Sequence, residues 1–263
     1  MKMSRDILVT GGTGTLGRLL VPRLRDAGHR VRVLSRHSGS AEADVEYLTG
    51  DLATGEGVGA AVEGVEVVVH CAGTAKGDGE KARTLVEAAA PAGVRHLVFI
   101  SVVGADRVPI ESPVDRAMFS YYGSKLAAER AVAASGLPWT TLRATQFHDL
   151  VYTTVRQLTR LPVVPGPALR FQPVDTVEVA DRLAELAEGP PAGLVDDLAG
   201  PRVYELRDLV RGYLRARGKH RALVGMRPPG QAGRALRAGA NLAPDRAVGR
   251  RTREDFLAAR VAA

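Results

Sequence analysis

The 263-residue chain is 45% hydrophobic and 25% charged, with a formal charge of +7 and a mean hydropathy near zero. This is ample apolar material for one large domain, or a domain with a small appendage. No apolar stretch is long enough for a membrane helix, one cysteine excludes an internal disulfide, and no His/Cys spacing points to a metal. Residues Met1–Asp6 lead straight into an apolar strand and leave no room for a signal peptide, so a reducing cytoplasm is the expected location.

The first strand, Ile7-Leu8-Val9, runs into Thr10-Gly11-Gly12-Thr13-Gly14-Thr15-Leu16-Gly17, and a helical pattern follows. Three glycines at spacing three suit a turn whose main-chain amides approach a pyrophosphate at a helix N-terminus. Gly11 makes the turn, Gly14 lets the phosphates close in, and Gly17 lets helix and strand pack. Thr13, Thr15 and Leu16 share this loop and count as cofactor-side positions.

A second strand, Arg30–Ser35, is followed by Ser35, Arg36, His37 and Ser38. An acidic residue there would hold the ribose hydroxyls of NAD, whereas an arginine suits the extra phosphate of NADP. NADP(H) is therefore expected over NAD(H), the alternative being a solvated arginine. Next come a strand at Val45–Leu48, a turn at Asp51-Leu52 and a helix near Gly55–Glu63. Asp51 could accept from the adenine amino group or cap the next helix. The apolar run Val65–Val69 ends in His70-Cys71-Ala72-Gly73-Thr74, small residues able to lie along the nicotinamide ribose. Cys71 itself reads as a packed small residue rather than a nucleophile. Leu97–Ile100 is a further strand, ending at Ser101. Strand alternating with helix predicts a Rossmann-type, doubly wound parallel sheet with helices on both faces and ligands beyond the strands' carboxyl ends.

Tyr121 and Lys125 sit four apart on a predicted helix and so share a face. A nearby ammonium favours the phenolate, so such a tyrosine can protonate a carbonyl oxygen as hydride arrives. The chain holds five lysines against 31 arginines, which singles out the lysine at 125. Tyr122 is three from Lys125, and a shifted helix would exchange the two tyrosines; Gly123 weakens the helix there.

The glycine string, Gly50-Asp51-Leu52, His70-Cys71-Ala72-Gly73, Tyr121-Tyr122-Gly123-Ser124-Lys125 and Gly136–His148 together resemble an extended or atypical short-chain dehydrogenase/reductase, closest to the NmrA-like NAD(P)-binding proteins. The resemblance covers most of the chain and fades after about residue 200. It implies a Rossmann domain, a nicotinamide cofactor and a carbonyl-type substrate. It also implies that Lys125 holds the ribose hydroxyls, and that Gln146 and Phe147 support the nicotinamide while His148 borders the substrate. His148 could assist proton transfer or simply hydrogen-bond at a strand end.

The chain departs from that pattern in two places. Relatives carry a second hydroxyl after the strand serine, whereas Val102 and Val103 follow Ser101 here and become substrate-side positions. Ser101 reads as catalytic or as a buried serine bonded to backbone. The connection Gly104–Phe119 reads as a long loop on the substrate side.

Beyond residue 150, a helix at Asp149–Arg160 precedes an extended linker, Leu161–Pro167. Phe171–Thr176 resembles the strand that, in the family, returns to the Rossmann sheet before a helix carrying Val179, Leu183 and Leu186, which Gly189-Pro190-Pro191 stops. A helix around Tyr204–Arg217, a Gly- and Arg-rich segment and an amphipathic Arg253–Val261 complete the chain. The expected organisation is a NAD(P)-binding domain over 1–150 and a C-terminal part over 151–263. In the latter, about 169–188 returns to the Rossmann domain and the rest forms a small substrate lobe.

From Ala199 onward there are 15 basic and 5 acidic residues, a balance of +10. This could steer an acidic substrate or be an arginine-rich solvated surface. Only Tyr204, Tyr213 and Phe256 could stack on bases, which argues against nucleic acid. The expected activity is NADPH-dependent reduction of a ketone, quinone or related conjugated carbonyl of a small, aromatic or non-aromatic metabolite by a monomer or homodimer. The alternatives are a non-catalytic NAD(P)-binding regulator of NmrA type and a nucleotide-sugar epimerase or dehydratase.

Overall fold

A computed structural model describes residues 4–36, 44–74 and 76–261. His37 and Ser38 after the second strand, and the first three residues of the N-terminal segment, lie outside the described residues.

In chain order the elements are β1 (Asp6–Thr10), α1 (Gly17–Asp26), β2 (Arg30–Ser35), β3 (Val45–Thr49), α2 (Val58–Val62), β4 (Val67–His70), α3 (Asp78–Ala89), β5 (His96–Val102), α4 (Pro113–Ala133) and β6 (Trp139–Ala144). Then follow α5 (His148–Leu158), β7 (Val163–Pro167), β8 (Arg170–Phe171), α6 (Thr176–Glu188), β9 (Gly193–Leu194), β10 (Tyr204–Glu205), α7 (Leu206–Ala216), β11 (Ala222–Met226), α8 (Gly230–Ala238) and α9 (Arg253–Val261).

The chain divides into two compact units. The first comprises Met1–Ser101, Ser124–Arg143 and Thr176–Asp196; the second comprises Val102–Gly123, Ala144–Asp175 and Asp197–Ala263. The first unit carries a seven-stranded parallel sheet of order β3-β2-β1-β4-β5-β6-β9. Its central strands are apolar at nearly every position because helices cover both faces. Leu8, Val68, Leu97 and Phe99 pack with Val58, Leu85 and Val132 from α2, α3 and α4. The alternating strand residues face the other way, where α1 and α6 pack together and touch β1, β2 and β4.

The second unit pairs β7 with β11 in parallel and β8 with β10 antiparallel. Its core joins Val151 and Val155 of α5 to Leu206, Leu209, Val210 and Leu214 of α7 over Val164.

Several sequence expectations change here. The Leu161–Pro167 stretch is a paired strand rather than a linker, with β11 supplying its partner from within the Gly- and Arg-rich segment. The strand preceding α6 does not return to the large sheet: β8 is two residues long and pairs with β10, and Pro173, lacking an N–H, cannot extend the ladder. The sheet's seventh strand is β9, after α6. The Gly104–Phe119 connection is helical from Pro113, because Ser112 and Asp115 form a reciprocal capping box with proline at the first helical position. The Ser112 hydroxyl donates to Asp115 (2.7 Å), and the Asp115 amide donates to Ser112 Oγ (3.1 Å). Helix α4 kinks at Phe119 (φ −132°, ψ 17°) and runs on through Gly123.

Candidate active site

The strand order reverses at β1, which has β2 on one side and β4 on the other, and ligands of such sheets sit at this switch point. The registers Thr10↔Leu34 and Thr10↔His70 bring the three following loops side by side. A cleft of about 370 Å³ opens there, lined by Gly11, Thr13, Gly14, Arg36, Asp51, Leu52, Cys71, Ala72 and Gly73, all expected cofactor residues, and by Thr74 and Lys81. Of the remaining loop residues, Thr15 is exposed, whereas Leu16 and Gly17 are buried beneath the loop.

The glycines have separate reasons. Gly11 adopts φ +72°, and a side chain on it would stand 2.7 Å from the Ala72 nitrogen. On Gly17 a side chain would overlap the Gly11 carbonyl oxygen, so helix and strand could not meet. A Cβ on Gly14 would meet only the Gly11 oxygen at 3.2 Å; its absence leaves the wall of the cleft bare. Among the described residues no side chain caps the N-terminus of helix α1, so the positive end of its dipole stays open to an anion, while the Arg18 and Leu19 amides donate to the Gly14 and Leu16 carbonyls. This cradle, which side chains would fill, fits the diphosphate of a dinucleotide.

Asp51 does not cap α2, which starts at Val58 behind Gly57. Instead its carboxylate accepts from the Ala53 amide (2.8 Å) in an Asx turn at the cleft wall. Burial raises the Cys71 thiol to about 12, so it stays protonated and is not a nucleophile at neutral pH. His70 bonds the Thr10 hydroxyl through Nδ1 (2.7 Å) and stacks on Phe99; burial, aided by Lys125, lowers its pKa to about 3.

Lys125 is buried, with Nζ 3.2 Å from Asp78 Oδ2, 3.3 Å from the Ile100 carbonyl oxygen, to which it donates, and 5.1 Å from the centre of the Phe99 ring. A side chain on Gly73 would come within 3.0 Å of this ammonium, so the bare α-carbon lets it stand directly behind the cleft wall. Asp78 opens α3, where an anion suits the helix dipole. Its Oδ1 accepts from the Thr74 amide (2.8 Å), and its own amide donates to Ser124 Oγ (2.9 Å). Lys81 donates to the Thr74 hydroxyl (2.7 Å). Sequence reasoning missed Asp78 and Lys81, and placed Thr74 in the ribose-side segment without a role for its side chain. The available signal was a lysine-poor chain placing a lysine and an aspartate within one turn after the β4 exit.

Ser101 is buried, and its hydroxyl has no hydrogen-bond partner among the described residues. Tyr121 and Lys125 lie on the helical stretch beyond the Phe119 kink, at the expected spacing of four. Tyr122 packs on an apolar cluster of Val108, Ala232 and Leu236 in the second unit, and burial raises its phenol well above the ordinary value.

The other expected residues lie in the second unit. Val102 is buried, and Val103 packs on Ala199 and Ala243. Gln146 is buried and bonded at both ends, donating to the Asn241 carbonyl (3.0 Å) and accepting from the Gln172 amide (3.1 Å). Phe147 is half-buried just before α5. His148 is stacked on Phe256 and lies 3.3 Å from the Arg251 carbonyl oxygen.

The model of an NAD(P)H-binding family matches residues 11–190. A ceramide reductase of Caulobacter vibrioides is 31% identical over 245 residues, 85% of this chain and 74% of that one. A (4-alkanoyl-5-oxo-2,5-dihydrofuran-3-yl)methyl phosphate reductase of Streptomyces griseus is 29% identical over 222 residues, 81% and 74% of the two chains. An uncharacterized chain of Mycobacterium tuberculosis is 30% identical over 180 residues but far longer, so that the matched region spans 19% of it. Among solved structures, an NADPH-dependent quinone oxidoreductase of Escherichia coli complexed with NADPH has a TM-score of 0.78 at 18% identity, covering 97% of this chain and 99% of that one. A Citrobacter triphenylmethane reductase complexed with NADP(H) gives 0.74 at 20% identity with the same coverage. At these identities the structural likeness is one of fold.

Proposed function

The chain belongs to the NAD(P)H-binding family, and from that membership we propose that it is an NADPH-dependent reductase of a ketone, quinone or related conjugated carbonyl. One observation carries the reading: the Lys125 ammonium, buried and ion-paired, stands behind Gly73 on the wall of a glycine-built dinucleotide cleft. Reductase is also what the Caulobacter and Streptomyces relatives are named.

When bound, NADPH supplies a hydride. In this reading Gly11, Gly14 and the uncapped end of α1 take the diphosphate. Arg36 takes the additional phosphate through charge-assisted hydrogen bonds. Lys125 donates to the ribose hydroxyls and supplies positive charge on the face of α4 that carries Tyr121. Tyr121 gives its proton to the carbonyl oxygen, and the Ser101 hydroxyl, which has no hydrogen-bond partner among the described residues, donates to the same oxygen.

The test is NADPH oxidation against a panel of quinones and aromatic ketones, wild type beside Tyr121→Phe. We expect turnover of at least one carbonyl and a loss of about 10²- to 10⁴-fold in kcat for the variant, with NADPH binding retained. A second reading, a cofactor-binding regulator, is favoured by the apolar Val102 standing where a second hydroxyl would help hold the substrate oxygen. Tight NADPH binding with no turnover of any panel member would overturn the reductase in its favour.

A further inference from the structure

Asp78 is fully buried, an unfavourable place for a carboxylate unless both oxygens are compensated. The two oxygens have different neighbours. Oδ1 accepts from the Thr74 amide and, at 3.3 Å, from the Thr74 hydroxyl, which closes the turn after β4. Oδ2 makes no hydrogen bond with a described residue and lies 3.2 Å from Lys125 Nζ, an ion pair by distance without aligned hydrogen-bond geometry. Were Asp78 only a cap for α3 and a staple for the Thr74 turn, Oδ1 would suffice and Oδ2 would be a buried anion with nothing opposite it.

The surroundings point the same way. The Asp78 amide donates to Ser124, the residue before Lys125, so α3 and α4 are tied at the lysine itself. The Ile100 carbonyl takes one ammonium hydrogen and the Phe99 ring covers one side. An ammonium has three N–H groups, so with one on Ile100 and the Asp78 carboxylate alongside, it retains a donor for an acceptor in the cleft that Gly73 borders.

We propose that Asp78 is a positioning residue that acts through Lys125, fixing the ammonium behind Gly73 so that it meets the cofactor with one donor already aimed. The proposal rests on Lys125 being the cofactor-orienting lysine. It adds the group that holds that lysine, and it assigns Asp78 no contact with substrate.

The experiment is a double-mutant cycle on NADPH affinity, followed by fluorescence titration of the full chain: wild type, Asp78→Asn, Lys125→Met and the double variant. Asp78→Asn should weaken NADPH about 10-fold when Lys125 is present and less than about twofold when Met stands at 125, the non-additivity expected of partners in contact. Asp78→Glu, which keeps the anion near the ammonium, should bind within about threefold of wild type. Equal losses in both backgrounds would show that Asp78 merely shapes the Thr74 turn and would overturn the proposal. Should Asp78→Asn fail to fold because it strands a buried ammonium, the double variant should fold again. If the double variant stays unfolded while Lys125→Met folds, Asp78 is structural and the proposal falls. Failure of the underlying reading looks different: Lys125→Met would then bind NADPH like wild type.

Discussion

Single atoms decide what each cleft residue tolerates, and the glycines separate fold from function. A methyl group on Gly17 would overlap the Gly11 carbonyl oxygen, so Gly17→Ala should cost about 3 kcal/mol or more and lower the thermal midpoint. Gly14→Ala meets only one oxygen at 3.2 Å. It should keep the midpoint within about 2 °C while weakening NADPH about 10-fold, because the methyl occupies phosphate space. Calorimetry and fluorescence titration on the same two proteins check both. Arg36 is exposed at the rim of the cleft, and the role proposed for it is narrower. Arg36→Ala should loosen NADPH about 10- to 100-fold and NADH less than about threefold; equal losses would remove phosphate recognition from the account. The glycine string and Arg36 were legible as cleft residues because each follows directly on a strand that local hydrophobicity marks. Asp78 was not, because its partner lies 47 residues away on another helix and only folding brings the two charges together.

Elements were readable wherever their signal was local. The apolar runs of β1, β2 and β4 and the 3.6-residue stripe of α6 needed no tertiary information, and α9 begins at the expected Arg253. There Thr252 and Asp255 repeat the capping box seen at Ser112 and Asp115. The Ser112 box was also local, yet the length of the Gly104–Phe119 connection favoured a loop. Ser112→Ala should cost about 1 kcal/mol in urea unfolding, and an unchanged midpoint would mean that the first turns of α4 do not depend on this cap. The strands β7, β8, β10 and β11 escaped notice for another reason. Two-residue and proline-containing strands carry almost no propensity, and their partners stand up to 59 positions away. The exposed arginines 211, 215 and 217 of the basic C-terminal region lie on or just after α7, whose other face buries Leu206, Leu209, Val210 and Leu214.

Across the molecule, two histidines of the first unit tie stability to pH. Burial lowers His70 to about 3 and His96 to about 4, from an ordinary value of 6.5, with Lys125 and Arg5 adding to the respective shifts. The unfolded chain takes up protons below 6.5 that the folded one refuses, so their contribution is intact above pH 6.5 and is lost as pH falls towards 4. At about 1.4 kcal/mol per pH unit and histidine, folding should weaken by about 2–4 kcal/mol between pH 6.5 and 5. Denaturant midpoints across that range test it, and a flat profile would contradict it. The sequence alone determined the parallel sheet, the dinucleotide loop and the tyrosine–lysine spacing, because strand hydrophobicity, glycine conformation and helical periodicity act over a few neighbouring residues. Only the tertiary structure decided that Asp78 faces Lys125, that Tyr122 is packed away in an apolar cluster, and that the extended segments beyond residue 160 find each other. Those outcomes depend on burial and pairing between distant residues, which no local pattern encodes.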